Sequence, residues 1–177
     1  YQAPKDYSAT LVSKPEKGFF ELQANKPATI EIKSEQPFTA RAVRLDFKES
    51  PIAGKAELFA KINGETKKIC EFKISRYNPE INVGFMPYAP VTAAFEATQA
   101  TEFQLVVMSD RNGAGIASVE LSAAPKVAAV YDKTLAKMHE TPQPMWTEYQ
   151  WAPSPEIDDA SLAVDPTKVV DLTDKLS

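Results

Sequence analysis

Apolar and polar positions alternate with a period of two along most of the first 125 residues, which is typical of half-buried β-strands. The longest alternating stretch, residues 38–47, turns Val43, Leu45 and Phe47 to one face and charged side chains to the other. Further strands are predicted over residues 18–23, 28–33, 55–62, 91–95, 102–108 and 116–121, with a return strand after residue 64. About eight strands and almost no helix predict an all-β sandwich or barrel.

The clearest local signal is a hairpin centred on Asn63-Gly64. This dipeptide favours a type I′ turn, because both central residues of that turn need positive φ. The strands on either side are predicted to turn these side chains inward: Ala56, Leu58, Ala60, Ile62, Cys70, Phe72 and Ile74. Cys70 is the single cysteine, so it cannot form a disulfide within the chain and is interpreted as a small buried apolar residue.

Several segments break the alternation. Residues 75–90 have no clean period and contain prolines and a glycine, which predicts a long structured loop. Residues 109–115, Ser-Asp-Arg-Asn-Gly-Ala-Gly, predict a tight turn. Further on, residues 127–140 have near-helical spacing, residues 141–155 hold four prolines, and a short strand is predicted over residues 168–172.

Composition and charge exclude several classes of function. The 177-residue chain has a net charge of −4 and a pI near 5.2, which disfavours nucleic acid as a partner because phosphate binding needs a basic face. No apolar run approaches the roughly 20 residues of a membrane-spanning helix. One histidine and one cysteine cannot build a transition-metal site, and no Gly-x-Ser-x-Gly motif marks a nucleophilic serine. The adjacent Asp158 and Asp159 are expected to lie in a solvated turn rather than to act as paired glycosidase carboxylates.

Two stretches resemble known families. The first joins Glu102-Phe-Gln-Leu-Val-Val-Met, a glycine-bearing turn and Gly115-Ile-Ala-Ser-Val-Glu-Leu-Ser122, and it resembles the last two strands of discoidin or galactose-binding-like jelly rolls. Gln104 stands where that pattern often has arginine, and Ser118 where it often has glutamate. Residues 36–45 and 56–65 resemble an edge strand and a hairpin of the same fold. The resemblance implies a galactose-binding-like jelly-roll β-sandwich of about eight strands, with one short helix and an extended tail containing proline and tryptophan.

The second stretch, Val164-Asp-Pro-Thr-Lys-Val-Val-Asp-Leu-Thr-Asp-Lys-Leu176, lies in the tail. It is similar to the segment that follows an accessory sandwich in glycoside hydrolases of family 106, the α-L-rhamnosidases of gut Bacteroides type. The resemblance implies a large secreted enzyme acting on rhamnose-containing plant glycans, with its barrel and catalytic carboxylates outside this chain. It also implies a periplasmic, cell-surface or extracellular location, and the catalytic domain of the same polypeptide as partner.

A sugar site needs an aromatic platform for the apolar face of a pyranose and planar polar groups for its hydroxyls. In galactose-binding-like folds such a site lies on loops at one end of the sandwich. The candidate sugar-binding residues are Arg76, Tyr77, Phe85 and Tyr88 in the long loop and Asp110, Arg111 and Asn112 in the late turn. The alternative is that the aromatic residues pack the loop onto its own sheet. Asp110 and Asn112 could also contribute to a structural calcium site, although Asp-Arg-Asn-Gly is ordinary turn chemistry; no other cofactor and no catalytic residue is expected.

Trp146, Tyr149 and Trp151 form the densest aromatic group and are the candidates for packing against a neighbouring domain, because large amphipathic rings are common interface anchors. Residues 1–125 are predicted to form the sandwich, and residues 126–177 a helix and extended linker leading toward a downstream domain. Three hypotheses follow for the chain: a non-catalytic structural module of a family-106-like rhamnosidase, a carbohydrate-binding module that concentrates the enzyme on its glycan, or an independent hydrolase or surface adhesion domain unrelated to that family.

Overall fold

The structure, a computed structural model, describes residues 7–76, 87–133, 153–162 and 166–170. These residues contain seven strands. They are β1 (Thr10–Ser13), β2 (Phe20–Glu21), β3 (Pro27–Phe47), β4 (Ile52–Ile62), β5 (Glu65–Arg76), β6 (Val91–Ser109) and β7 (Gly115–Ser122). One turn of helix, α1 (Val130–Lys133), and two 3₁₀ turns (Ala160–Leu162 and Pro166–Lys168) complete the regular structure of these residues. The all-β prediction is therefore confirmed.

The strands pair antiparallel in the order β1-β7-β3-β6-β4-β5, with β2 beside β7. β3 and β6 form a long ribbon that runs from Pro27 opposite Met108 to Leu45 opposite Val91. The first half of β3 and the second half of β6 continue sideways into β4 and β5. The other half of the ribbon continues into β7 and β1. One bent ribbon therefore contributes to both layers of a β-sandwich.

A change of register marks the place where the ribbon bends. Lys33 is opposite Glu102 and Phe38 is opposite Ala100, so residues 34–37 of β3 face Thr101 alone. Extra residues on one strand bend it and increase its twist. The sequence predicted two strands here, with Pro37 between them, and the structure corrects this to one strand with the proline at the irregularity. The predicted strands 91–95 and 102–108 are likewise joined in β6.

A single hydrophobic core lies between the layers and draws on both halves of the ribbon. Its most buried apolar members are less than 2% exposed: Val43, Leu45, Ile52, Leu58, Ile74, Leu105, Val107, Ile116, Val119 and Leu121. Cys70 and Phe72 are half-buried and pack against this core, as the alternation of β5 predicted. Full burial of such a large aliphatic side chain contributes about 1.5–3 kcal/mol, so burial between the layers is what holds them together.

The β4–β5 hairpin has the predicted two-residue turn. Asn63 and Gly64 have φ values of 52° and 83°, and Ile62 pairs with Glu65 across the turn. Earlier in β4, Gly54 allows an unusually close approach to β6, because a Cβ at this position would lie 2.0 Å from the carbonyl oxygen of Met108. Both glycines are therefore required by the backbone path.

Three further predictions can be compared with the structure. β1 was not predicted, because its four residues are at most half-buried and their alternation is weak. The predicted strand 168–172 is wrong over its described residues, since Lys168 ends a 3₁₀ turn and Val169 and Val170 are 62% and 70% exposed and lie outside any strand. Within the predicted helix 127–140, the structure has the single helical turn α1 (Val130–Lys133). Residues 134–140 lie outside the described part of the chain.

Candidate functional site

The turn between β6 and β7, residues 110–113, presents a short polar surface at one end of the sandwich. The side chains of Asp110, Arg111 and Asn112 are exposed, and Gly113 closes the turn with a φ of 75°. Hydrogen bonds hold its backbone, because the amide of Asp110 donates to the carbonyl of Ala53 at 2.9 Å. The turn lies within residues 109–115, where the sequence predicted a tight connection.

Buried and bridging contacts make the 110–113 turn rigid. Ser109 is 1% exposed, and its hydroxyl accepts from the amide of Arg111 and donates to the carbonyl of the same residue, both at 3.0 Å. The carboxamide oxygen of Asn112 accepts from the amide of Ala24 at 3.0 Å. This oxygen is committed to the fold, so Asp110 and Arg111, 3.8 Å apart and about half exposed, are the charged groups that the turn offers to a ligand.

Arg76, another candidate, has a different role. Its side chain is 1% exposed and forms a bidentate ion pair with Asp132 of α1, with distances of 2.7 and 3.0 Å. It also donates to the carbonyls of Ala89, Pro90 and Ser75. These contacts fasten α1 and the start of β6 to the end of β5, so the structure removes Arg76 from the candidate sugar-binding set.

Of the remaining candidates, Tyr88 is half-buried in the segment that Arg76 fastens to β5. This segment leads into Val91, which pairs with Leu45 near the end of β3. The same end of β3 pairs with β7 just after the 110–113 turn, so Tyr88 and the turn belong to the same end of the sandwich. Tyr77 and Phe85 lie outside the described residues, as do Trp146, Tyr149 and Trp151, and their roles stay predictions.

A second polar cluster, at the other end of β7, was not predicted. The guanidinium of Arg41 donates to both carboxylate oxygens of Asp158 at 2.7 Å and to the carbonyl of Ala123 at 2.8 Å. The ring of Tyr7 lies 5.2 Å from the guanidinium carbon, and the Tyr7 hydroxyl donates to Asp159. We call these five residues the Arg41 cluster.

The Arg41 cluster combines a buried charge with a partly exposed partner. The Arg41 side chain is 7% exposed, whereas that of Asp158 is 39% exposed. The hydrogen bonds to Asp158 raise the pKa of Arg41, so the guanidinium stays charged. Asp159 also accepts from the amide and hydroxyl of Ser161, which closes the following 3₁₀ turn. Residues 153–162 include no buried residue, in keeping with the expected solvated turn, and the two aspartates also hold this segment against the sandwich.

One signal for this cluster was present in the sequence. Arg41 interrupts a run of small apolar residues, and Ala40, Ala42 and Val43 beside it are completely buried. An arginine inside a buried stretch needs a partner, because an unpaired buried charge is costly. Its partner Asp158 is 117 positions away, however, and strand alternation carries no information about such a distant pairing.

The two polar sites lie at opposite ends of the sandwich. Gly115 follows the 110–113 turn at one end of β7, and Ala123 accepts from Arg41 just beyond the other end. Eight residues of extended strand separate them, which corresponds to about 26 Å. Whatever binds at the turn is therefore remote from the Arg41 cluster.

Within residues 7–76, 87–133, 153–162 and 166–170, no group of three or more His, Cys, Asp or Glu side chains is arranged to hold a metal ion. Among the same residues, no helix has the length and apolar character needed to cross a membrane.

No protein-family model and no curated protein matches the chain. Similar folds occur among solved structures. A proposed alpha-L-fucosidase from Bacteroides thetaiotaomicron is 13% identical over 63% of this chain and 21% of its own, with a TM-score of 0.44. A family 32 carbohydrate-binding module from Clostridium perfringens, in complex with GalNAc-β-1,3-galactose, is 16% identical over 64% of this chain and 93% of its own, with a TM-score of 0.41.

A rhamnosidase from Novosphingobium sp. PP1Y is 14% identical over 71% of this chain and 12% of its own, with a TM-score of 0.44. The chain thus spans about a fifth of the length of the fucosidase and about an eighth of that of the rhamnosidase. Likeness at these identities and TM-scores concerns the fold alone.

Proposed function

We propose that the chain is a non-catalytic accessory β-sandwich of a larger glycoside hydrolase, and that it holds the polypeptide on either side of it in a fixed orientation. The Arg41 cluster is the observation that carries this proposal. It joins Tyr7, before the first strand, to Ala123, after the last strand, and to residues 153–162 of the tail. Three segments that are far apart in sequence therefore meet at one end of the sandwich.

The energetics favour a fixed junction over a loose linker. A bidentate pair between arginine and carboxylate fixes the relative orientation of the two groups, and burial of the guanidinium makes its release costly. The segment 153–162 includes two prolines and a 3₁₀ turn, which reduce the entropy lost when it docks. A connection of this kind suits a module that positions its neighbours.

In this proposal residues 1–125 are the sandwich and residues 126–177 connect it to the catalytic part of the same polypeptide. Trp146, Tyr149 and Trp151 would pack against that part, as large rings commonly do at interfaces. The resemblance of the tail to family 106 supports a parent enzyme that acts outside the cytoplasm on rhamnose-containing plant glycans. The catalytic carboxylates would then belong to the parent enzyme and not to this chain.

Amide hydrogen exchange tests the fixed junction. Residues 153–162 should exchange slowly in the native chain and much faster in Arg41→Met, because the substitution removes all three guanidinium hydrogen bonds. Arg44→Met is the matched control, since Arg44 is on the same strand and its ion pair with Asp46 is 43% and 33% exposed. Equal exchange of residues 153–162 in all three proteins would rule out the proposed junction. Hydrolysis of aryl glycosides by the chain itself would contradict the non-catalytic assignment.

A second function, sugar binding at the 110–113 turn, is favoured by its exposed charged pair on a rigid backbone. A carboxylate and a guanidinium can accept from and donate to sugar hydroxyls, and the rigid turn limits the entropy lost on binding. Calorimetric titration with rhamnose-containing oligosaccharides should give binding that Arg111→Ala weakens and Arg44→Ala does not. Equal affinity in all three proteins would exclude the turn as the site.

A further inference from the structure

A groove crosses the outer face of the layer formed by β4, β5 and the adjoining halves of β3 and β6, and it is separate from both sites described above. Its volume is about 90 Å³. We call it the Phe59 groove; its lining includes Glu31, Lys33, Phe59, Lys61, Glu102 and Gln104. Gln104 is six residues before Asp110 on β6, or about 20 Å from the 110–113 turn along the extended strand.

Strand register explains how these side chains come together. Glu31 is opposite Gln104, and Gln104 is opposite Phe59, so three strands contribute to one row across the sheet. The preceding and following residues point into the core; Leu58 and Leu105, for example, are completely buried. Because successive side chains of a strand point to opposite faces, the row around Phe59 faces outward.

The groove combines one aromatic ring with paired charges. Phe59 is half-buried on a strand that has neighbours on both sides, so its backbone is rigid. Lys33 contacts Glu31 at 2.7 Å and Lys61 contacts Glu102 at 3.0 Å. The two lysines and two glutamates are each about half exposed or more, so their remaining hydrogen-bonding capacity faces solvent.

We propose that the Phe59 groove binds a neutral oligosaccharide. The formal charges of its two ion pairs cancel, so an anionic or cationic ligand gains little from Coulomb attraction there. A neutral polyhydroxyl ligand can donate to the carboxylates, accept from the ammonium groups and use Gln104 in both ways, while the apolar face of a pyranose packs on the ring of Phe59.

The choice of a sugar over another neutral polar ligand rests on the proposed function. The position of the groove rests on its lining residues and on the strand register. The probes are a neutral rhamnose-containing trisaccharide, galactotriose and xylotriose, with trigalacturonate as the acidic comparison. At least one neutral probe is expected to bind, to shift the amide resonances of Glu31, Phe59 and Gln104, and to bind no more weakly than trigalacturonate at low salt.

Two substitutions in the groove and one outside it test the assignment. Phe59→Ala should weaken binding of the neutral probe by about tenfold or more, because it removes the stacking surface. Gln104→Ala removes a partly exposed side chain on the outer face and should weaken binding without loss of the fold, which the amide spectrum verifies. Arg44→Ala, in the half of β3 that pairs with β7, should leave affinity for the groove unchanged.

The contrary outcomes separate the two proposals. Resonance shifts confined to the 110–113 turn, with affinity lost only in Arg111→Ala, would overturn the groove while leaving a sugar-binding module. Tighter binding of trigalacturonate with strong salt dependence would refute the argument from charge balance. Absence of binding by every probe at millimolar concentration would also overturn the proposed sugar site in the groove. The proposed junction at the Arg41 cluster is tested separately, by hydrogen exchange.

Discussion

The Arg41 cluster predicts an unequal response to loss of either partner of its ion pair. Asp158→Ala leaves a guanidinium that is 7% exposed; among the described residues it keeps the Ala123 carbonyl, the face of the Tyr7 ring and the more distant charge of Asp159. Removing one partner of a buried pair costs about 3–5 kcal/mol, because the remaining charge is uncompensated. Asp158→Ala should therefore be strongly destabilising.

Arg41→Met should cost less. Methionine retains most of the apolar stem, and the carboxylate left behind is 39% exposed, so water can solvate it. The main loss is at the carbonyl of Ala123, a residue only 7% exposed, which no longer has its donor at 2.8 Å. An unsatisfied buried acceptor costs about 1–3 kcal/mol. The expected order of free energies of unfolding is wild type, then Arg41→Met, then Asp158→Ala.

The double variant Arg41→Met/Asp158→Ala isolates the ion pair. Asp158 takes part in further interactions, and these are lost in the double variant as well as in Asp158→Ala. Only Asp158→Ala, however, retains a buried guanidinium without its carboxylate. The double variant should therefore be more stable than Asp158→Ala alone. Arg44→Met, which breaks a half-exposed pair, should cost no more than about 1 kcal/mol.

Urea unfolding followed by fluorescence and circular dichroism measures all five proteins. For a chain of this size, each kcal/mol of free energy of unfolding also shifts the melting temperature by about 2–4 °C. Thermal melts of the same proteins should therefore resolve the difference between the single variants. If Asp158→Ala costs no more than Arg41→Met, or if the two effects simply add in the double variant, the account of Arg41 as a buried charge is wrong.

Three further predictions follow from other parts of the fold. Gly54→Ala should be destabilised by about 3 kcal/mol or more, or fail to fold, because its Cβ would lie 2.0 Å from the Met108 carbonyl oxygen; expression and urea midpoint report this, and a wild-type midpoint would contradict it. Ser109→Ala should cost about 1 kcal/mol and speed amide exchange in the 110–113 turn, because both hydrogen bonds of the Ser109 hydroxyl are lost; unchanged exchange would show that the turn does not depend on them. Burial raises the pKa of Cys70 from 9.0 to about 12, so the folded thiol stays protonated where the unfolded thiol ionises. Stability relative to Cys70→Ala should be constant below about pH 8 and fall between about pH 9 and 12; parallel urea midpoints across that range would contradict the shift.

Local pattern predicted the parts of the fold that depend on neighbours in sequence. The inward face of β4 and the turn at Asn63-Gly64 follow from alternation and from the φ values that the turn requires, and both are confirmed. The bend of β3 could not be obtained in this way. Pro37 indicates an interruption, but only the pairing with β6 decides whether the strand ends there or continues in the other layer.

The candidate site shows the same division. The exposed 110–113 turn was predictable because its composition determines a local backbone conformation. The roles of Arg76 and Arg41 were not, because Asp132 and Asp158 are 56 and 117 positions away from them. An arginine on a strand has the same neighbours in sequence whether its side chain faces solvent or a distant carboxylate, and the topology of the chain decides between the two.

Under the proposed function, attachment and recognition lie on separate surfaces of the sandwich. The Arg41 cluster fastens three segments at one end of β7, while the 110–113 turn lies about 26 Å away at the other end. The Phe59 groove is on the outer face of a layer that shares only the β3–β6 ribbon with β7. Because sites so far apart and without shared partners contribute independently, substitutions in the 110–113 turn should leave the stability of the Arg41 cluster unchanged.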